Sequence, residues 1–446
     1  MQRETDFTDG PILGPLLRFT LPILMALFLQ ALYGAFDLFV VGKYAAAQDV
    51  SGVAIGSQLM HTVTTLISSL AMGTTILLGQ KIGEGDRESG GDIIGTGIVL
   101  FLLVGTALTV LLPALSGVLA NAMNAPKEAF VQTRRYLAVC GAGSLMIVSY
   151  NVLGSIMRGM GDSKTPLMTV AIASVCNITG DLLLVAVFHL GALGAALATV
   201  FSQAVSVAVS LLILRRRELP FVFNRKKIRV HRVFLRQTIR FGAPIALQEL
   251  LVGLSFLVIY SIANQLGLIA SAGVGVAQKV CAFIMLAPAA FMQAMSAYVA
   301  QNCGAGRYDR AKRGLRIAVT VSTVFGFLMF YVAFFRGDLL CGFFSRDLAV
   351  TAAGQEYLKA YAIDCLQTCF LFCFIGFFNG LGHTGFVMMQ GVSSSFLIRI
   401  PVSYVMSRAV GTLFSIGLGI PCSTAVQIAA CFVFYAYLRR GELAGK

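Results

Sequence analysis

Four acidic residues lie inside long apolar stretches of this chain, whereas the rest of its 20 acidic residues lie in polar segments or at the ends of apolar ones. The four are Asp37, Asp181, Glu249 and Asp364. A charged carboxylate at the centre of a membrane costs about 2.5–3.5 kcal/mol, so such residues usually face a cavity and mark an ion or substrate path. The alternative is a buried acid that only joins helices by hydrogen bonds.

Polar residues accompany the two acids of the first half at helical spacing. Gln30, Tyr33 and Asp37 share one helical face, and Asn177 and Asp181 are four residues apart. No Lys or Arg lies deep in the apolar stretches of this half, so the two acids must take up a proton or bind a metal cation. The candidate coupling-cation residues are Tyr33, Asp37, Asn151, Asn177, Asp181 and Thr199. Hard cations prefer oxygen ligands, and Na⁺ would use Asp37, Asn177, Asp181 and Thr199.

The second half combines two acids with two bases inside apolar stretches. Glu249 and Asp364 are the acids, and Lys279 and Arg399 are the bases. Either base could neutralise either acid, because intramembrane charges usually pair with one another. We expect Lys279 to pair with Glu249 or Asp364, which makes a structural ion pair more plausible here than a second cation site. In the alternative, Lys279 lines the cavity and titrates.

Two prolines occupy equivalent places in the first apolar stretch of each half. Pro22 and Pro244 each remove a helical hydrogen bond and permit a bend. They are candidate hinges, or kinks with no moving part.

Composition identifies the elements that must position these residues. Apolar residues make up 57% of the 446, and charged residues 12%, against about 25% charged in soluble domains. This excludes a disordered chain, a nucleic-acid-binding module and an ordinary cytosolic enzyme, and it predicts an all-α polytopic membrane protein. We expect twelve spans of at least ~20 residues, at roughly 12–40, 50–78, 92–120, 134–157, 165–188, 191–214, 234–262, 268–298, 314–336, 355–378, 386–407 and 413–437.

Basic residues determine the expected orientation. They concentrate in loops that follow even-numbered spans, above all in the run between 215 and 240 and the run between 307 and 316. Short basic loops remain in the cytoplasm, so both termini should be cytoplasmic in a bacterial cytoplasmic membrane. Few aromatic residues interleave with these runs, which argues against nucleic-acid binding.

The chain repeats itself at an offset of about 221 or 222 residues. Residues 18–23 (RFTLPI) resemble 240–245 (RFGAPI), 79–85 (GQKIGEG) resemble 300–306 (AQNCGAG), and 158–161 (RGMG) resemble 379–382 (NGLG). Three matches in order indicate a duplication, and six spans per copy give both halves the same orientation. The expected organisation is a six-helix lobe over 1–214, a basic cytoplasmic linker over 215–233 and a second six-helix lobe over 234–446.

The motifs together resemble the MATE family, the multidrug and toxic compound extrusion exporters of the MOP superfamily. Asp37, Asn151, Asn177, Asp181 and Thr199 resemble the cation site of its DinF-like branch, and Tyr33 and Pro22 resemble the residues around that site and its bend. Asp364 is similar to an acidic position of the NorM-like branch. The resemblance implies cation-coupled antiport by alternating access, with amphipathic and cationic organic compounds or drugs as substrates.

Other readings remain open. One is a lipid-linked oligosaccharide flippase of the same superfamily, and another is a transporter-like sensor or assembly factor that moves nothing. The chain has no phosphate-binding G-x-x-x-x-G-K-[ST] motif and no grouping of catalytic residues. We therefore expect no enzyme activity, transport driven by a gradient of H⁺ or Na⁺, no cofactor, and a monomer whose partners are small molecules and membrane lipids.

Overall fold

The computed structural model describes residues 7–441 and 443, with only the backbone described at Arg225. All regular secondary structure in these residues is helical. Eleven helical segments are long and apolar enough to cross a membrane, and one bent pair of helices makes a twelfth. The expected all-α, multi-pass membrane fold is therefore confirmed.

The helices of the first half pack into one compact unit, which takes in Leu21–Ala246. The first helix, α1, spans Leu13–Tyr44 and joins this unit from Leu21 on. Its other helices are α2 (Ala47–Gly83), α3 (Arg87–Ala122), α4 (Phe130–Ala142), α5 (Ser144–Gly159), α6 (Lys164–Asp181), continued by a π-helical turn over Leu182–Val187, and α7 (Gly191–Arg215).

The second unit takes in the chain from Leu247 on, together with the described residues up to Thr20. Its helices are α8 (Arg232–Asn264), which enters the unit at Leu247, α9 (Leu268–Ile284), α10 (Leu286–Gly304), α11 (Tyr308–Phe335), α12 (Gly337–Gly342), α13 (Leu348–Leu381), α14 (Thr384–Ser394), a π-helical turn over Ser395–Arg399, α15 (Ile400–Ala409), α16 (Leu413–Gly417) and α17 (Gly419–Arg440). The central helix is α13, which contacts α9, α10, α11 and α17.

One expected span is broken in the structure. The stretch predicted as a single helix over 134–157 is two helices, α4 and α5, which meet at Gly143 and bend by 55°. A Cβ atom at Gly143 would lie 2.4 Å from a methyl carbon of Val200 on α7. The close approach of α7 requires a residue without a side chain at the break, and hydropathy carries no signal of such a contact.

The basic linker between α7 and α8 packs against the first unit. Phe221 is buried, Arg217 pairs with Asp162, and Nζ of Lys227 lies 2.7 Å from a carboxylate oxygen of Glu88 on α3. These contacts fix the chain before α8 begins at Arg232.

The segment before α1 packs against the second unit in a similar way. Phe7 is fully buried and makes edge-to-face ring contacts with Phe19 and Tyr298. Arg310 donates hydrogen bonds to the carbonyl oxygens of four residues of this segment, Phe7, Asp9, Gly10 and Pro11. One guanidinium thus satisfies most of the free backbone acceptors in the segment.

Candidate functional site

Two carboxylates of the first unit approach each other inside the helical bundle. Asp37 on α1 lies within interaction distance of Asp181 and Asn177 on α6 and of Thr199 on α7. The hydroxyl of Thr199 donates a hydrogen bond of 3.4 Å to Oδ2 of Asp37. The structure therefore brings together the four residues that the sequence analysis assigned to a Na⁺ site.

Most polar atoms of this group have no hydrogen-bond partner in the part of the chain that the structure describes. They are Oδ1 of Asp37, both amide atoms of Asn177 and both carboxylate oxygens of Asp181. Asp37 is 6% exposed, and Asn177 and Asp181 are fully buried. Buried polar groups are almost always hydrogen-bonded, so the unpartnered oxygens of this group fit a proton, a cation or water.

Small residues on α6 and α7 allow this approach. A Cβ atom at Gly180 would lie 2.9 Å from the Cβ of Ala198, so the residue before Asp181 and the residue before Thr199 are in direct contact. Close helix packing in membranes commonly relies on such residues. The helix also widens to a π-helical turn at Leu182, directly after Asp181, and such turns are frequent at functional sites.

The other two predicted residues of the first half differ in their surroundings. Tyr33 interacts with Asp37 and with Gln203, so it belongs to the rim of the acid group. Both atoms of the Asn151 side-chain amide are already hydrogen-bonded. The oxygen accepts a 2.8 Å hydrogen bond from Ser68, and the nitrogen donates one of 2.8 Å to the carbonyl of Ile147.

Two residues near the acids were missed by the sequence analysis. Gln203 is buried, has no hydrogen-bond partner for its Oε1 among the described residues, and lies four residues after Thr199 on the same face of α7. Tyr136 on α4 interacts with both Thr199 and Asp37. The helical spacing from Thr199 could have identified Gln203, whereas Tyr136 comes from a helix whose orientation depends on the break at Gly143.

The acid of the second unit is surrounded by neutral donors. Asp364 on α13 accepts a 2.5 Å hydrogen bond from Thr424 on α17 and a 3.1 Å hydrogen bond from Thr368, one turn further along α13. Arg399 interacts electrostatically with Asp364, although no ion pair of 4 Å or less joins them among the described residues. Both side chains are buried.

The expected ion pair of Lys279 with Glu249 or Asp364 is wrong for this structure. Lys279 and Glu249 are both exposed, and no ion pair of either is found within the described chain. On α9, the flanking residues Ala277 and Val280 are buried, so Lys279 lies on the opposite face of the helix. An apolar helix with few polar residues gives little sequence signal of which face packs inward, and this explains the error.

Both candidate hinge prolines lie close to the boundary between the compact units. Pro22 lies inside the continuous helix α1, one residue after the boundary at Leu21. Pro244 lies inside the continuous helix α8, two residues before the boundary at Ala246.

Comparison with known proteins gives one family result. The MatE family model matches twice, at residues 22–183 and 244–405. The probable multidrug resistance protein YpnP of Bacillus subtilis (strain 168) is 27% identical over 446 residues, which cover 97% of each chain. The multidrug export protein MepA of Staphylococcus aureus (strain NCTC 8325 / PS 47) is 22% identical over 438 residues, which cover 96% of this chain and 95% of the relative.

Solved structures share the fold over the whole chain. A multidrug resistance MATE family transporter of the MOP superfamily in an outward-facing conformation has a TM-score of 0.92 and 18% identity, covering 100% of this chain and 99% of its own. A MOP superfamily transporter from Pyrococcus furiosus, described as having a binding pocket of reverse polarity, has a TM-score of 0.92 and 18% identity, with 100% of both chains covered. The double match of the family model, on a fold shared with these structures, shows that this chain is a member of the MatE family of membrane transporters.

Proposed function

We propose that the protein is a secondary active exporter that couples inward movement of H⁺ or Na⁺ to outward movement of an organic compound by alternating access. The observation that carries this proposal is the acid group of the first unit. Asp37 and Asp181 are buried close together, and the described residues provide neither hydrogen-bond partners for most of their oxygens nor a basic residue to neutralise them. Two carboxylates in such a place need an outside cation.

The chemistry of the group suits either coupling ion. Carboxylate, amide and hydroxyl oxygens are ligands that hard cations such as Na⁺ prefer, and here they come from Asp37, Asp181, Asn177 and Thr199. A proton shared between the two carboxylates would relieve the same charge repulsion. The exporter would need no cofactor beyond this ion.

The substrates would be amphipathic organic compounds, most of them cations. Relatives that align over nearly their whole length are named as multidrug resistance or multidrug export proteins. The chain contains 33 Phe and 16 Met, and flexible Met side chains and aromatic rings accept apolar ligands of varied shape.

We place the protein in the bacterial cytoplasmic membrane, as a monomer with both termini in the cytoplasm. The basic linker before α8 and the basic residues at the start of α11 support this orientation by the positive-inside rule. The same orientation puts the segment that Arg310 holds and the linker that Lys227 holds on the cytoplasmic side.

An efflux assay in cells tests whether the chain transports at all. Cells that express the wild-type protein should accumulate less of a fluorescent organic cation than cells that express Asp37→Asn at the same level in the membrane. If the two strains accumulate the compound equally, and both differ from cells that do not express the protein, the result would contradict a role for the acid group. Equal accumulation in all three would favour a protein that does not transport this class of compound.

A further inference from the structure

The two units differ in the charge that they bury. Among the described residues of the second unit, Asp364 and Arg399 are the buried charged residues, and each is 4% exposed. The apolar interior of the first unit instead buries two acids, Asp37 and Asp181. Its third buried acid, Asp162, lies between helices and pairs with Arg217. The second unit is thus neutral inside, and the first is not.

Arg399 is held in place by a hydroxyl and an aromatic ring. Its Nη1 donates a 3.0 Å hydrogen bond to Ser255 on α8. The centre of its guanidinium lies 4.4 Å from the ring centre of Phe256, a distance typical of a cation–π contact. Its Nε has no hydrogen-bond partner in the described chain. None of these contacts supplies a negative charge, and Asp364 is the acid among the described residues that interacts electrostatically with Arg399.

Asp364 likewise receives no positive charge from its hydrogen bonds. Its two carboxylate oxygens accept from the hydroxyls of Thr424 and Thr368. Charges that are buried in a medium of low dielectric constant attract each other strongly even when they do not touch. Asp364 and Arg399, both buried, therefore attract each other although they are not in contact.

The internal repeat identifies the position that Arg399 occupies. The family model matches 22–183 and 244–405. Counted back from the ends of these two matches, Arg399 occupies the position equivalent to that of Asn177. By the same alignment of the two matches, Ser403 is equivalent to Asp181, and Ile259 is equivalent to Asp37. Where the first unit has an acid pair and an unpartnered amide, the second unit has neutral residues and a guanidinium.

We propose that Arg399 is a built-in cation of the second unit, which neutralises Asp364 and leaves the coupling cation to the first unit alone. The proposal rests on the proposed function for its meaning in transport, but the charge relation within the second unit can be tested separately. Loss of the guanidinium would leave Asp364 as a buried acid that requires a cation from outside.

A cavity of about 180 Å³ lies next to Phe256, whose ring contacts Arg399. It is lined mainly by aromatic side chains, among them Phe256, Tyr260, Tyr357 and Tyr361, and neither Arg399 nor Asp364 is part of its lining. Tyr357 is buried, and its hydroxyl has no hydrogen-bond partner in the described residues. The titratable groups that interact with Asp364 or Arg399 are Tyr260, Cys281, Tyr357, Tyr361, Cys365 and Cys369.

The test measures the thermal stability of the purified full-length protein in detergent at several Na⁺ concentrations and pH values. All variants carry Asp37→Asn and Asp181→Asn, so the acids of the first unit contribute nothing. Arg399→Gln, Asp364→Asn and the combination of the two are compared in this background. Arg408→Gln is the matched control, because Arg408 lies on α15 next to the ring of Tyr404 but is exposed.

The background protein and the Arg408→Gln control should melt at temperatures that do not depend on Na⁺ and change little between pH 6 and 8. Arg399→Gln should melt at a lower temperature and regain stability with added Na⁺ or at the lower pH. The combined variant should lose that dependence and melt above Arg399→Gln. If Arg399→Gln cannot be purified folded, a folded combined variant still supports the pairing.

Two results would overturn the proposal. One is an Arg399→Gln variant that is stable and insensitive to both cations. The other is a combined variant as unstable as Arg399→Gln, which would mean that Arg399 serves packing alone. Transport by the protein with wild-type acids in the first unit is measured in parallel. If the first unit proves to have no coupling role, that failure appears in the transport assay and leaves the melting results intact.

Discussion

The hydroxyl of Thr199 on α7 donates to Oδ2 of Asp37 on α1 over 3.4 Å, while Oδ1 of the same carboxylate is buried with no hydrogen-bond partner in the described chain. One side of the carboxylate is therefore oriented by the protein, and the other side is left for a ligand. Thr199 also donates to the carbonyl of Ala195 at 3.0 Å, so its single proton is shared and its oxygen remains an available ligand.

Thr199→Val should weaken the binding of the coupling ion without unfolding the protein. Valine keeps the shape of threonine but removes the hydroxyl, and a hydrogen bond to a charged group contributes about 1.5–3 kcal/mol. We expect the concentration of Na⁺ or H⁺ that gives half-maximal transport to rise roughly tenfold, since 1.4 kcal/mol corresponds to a factor of ten. Thr199→Ser, which keeps the hydroxyl, is the control. Transport by the valine variant at the wild-type ion dependence would remove Thr199 from the site.

Pro22→Ala should slow transport while it preserves or raises stability. Alanine restores a helical hydrogen bond and stiffens α1 where the chain passes from one compact unit to the other. The turnover rate with a fixed gradient is the measurement, and Pro244→Ala in α8 should act in the same direction. Pro113→Ala is the control, because Pro113 also lies inside a helix, α3, but within one unit. If all three variants behave alike, the hinge role of Pro22 and Pro244 is wrong.

Lys279→Ala should leave thermal stability nearly unchanged. The side chain forms no ion pair in the described structure, so its removal leaves no partner charge uncompensated, which is the usual cause of a large loss of stability at such a residue. The melting temperature of the purified variant is the measurement, with Arg399→Gln as the destabilised comparison. A large loss of stability that Glu249→Gln reverses would restore the ion pair that the sequence suggests and the structure lacks.

Most of the fold could be predicted from the sequence, because a membrane-spanning helix needs about 20 apolar residues and few other structures do. The acid group could also be predicted, since Asn177 and Asp181 share a helical face and have no base near them in the sequence. The direction in which Lys279 points from α9 could not be predicted, because an apolar helix can rotate about its axis without any change in its hydropathy. The break at Gly143 depends on a contact with Val200, far along the chain, and so it too required the structure.

The central claim is that the acid pair Asp37 and Asp181 couples a cation gradient to export. The most direct measurement is uptake of a fluorescent organic cation by liposomes that contain the purified protein, with a Na⁺ gradient and a pH gradient imposed separately. The wild-type protein should accumulate the compound against its own gradient when one of these ions is provided, and Asp37→Asn and Asp181→Asn should each abolish that accumulation while they remain folded. Accumulation by both variants at the wild-type level would contradict the assignment of the coupling site.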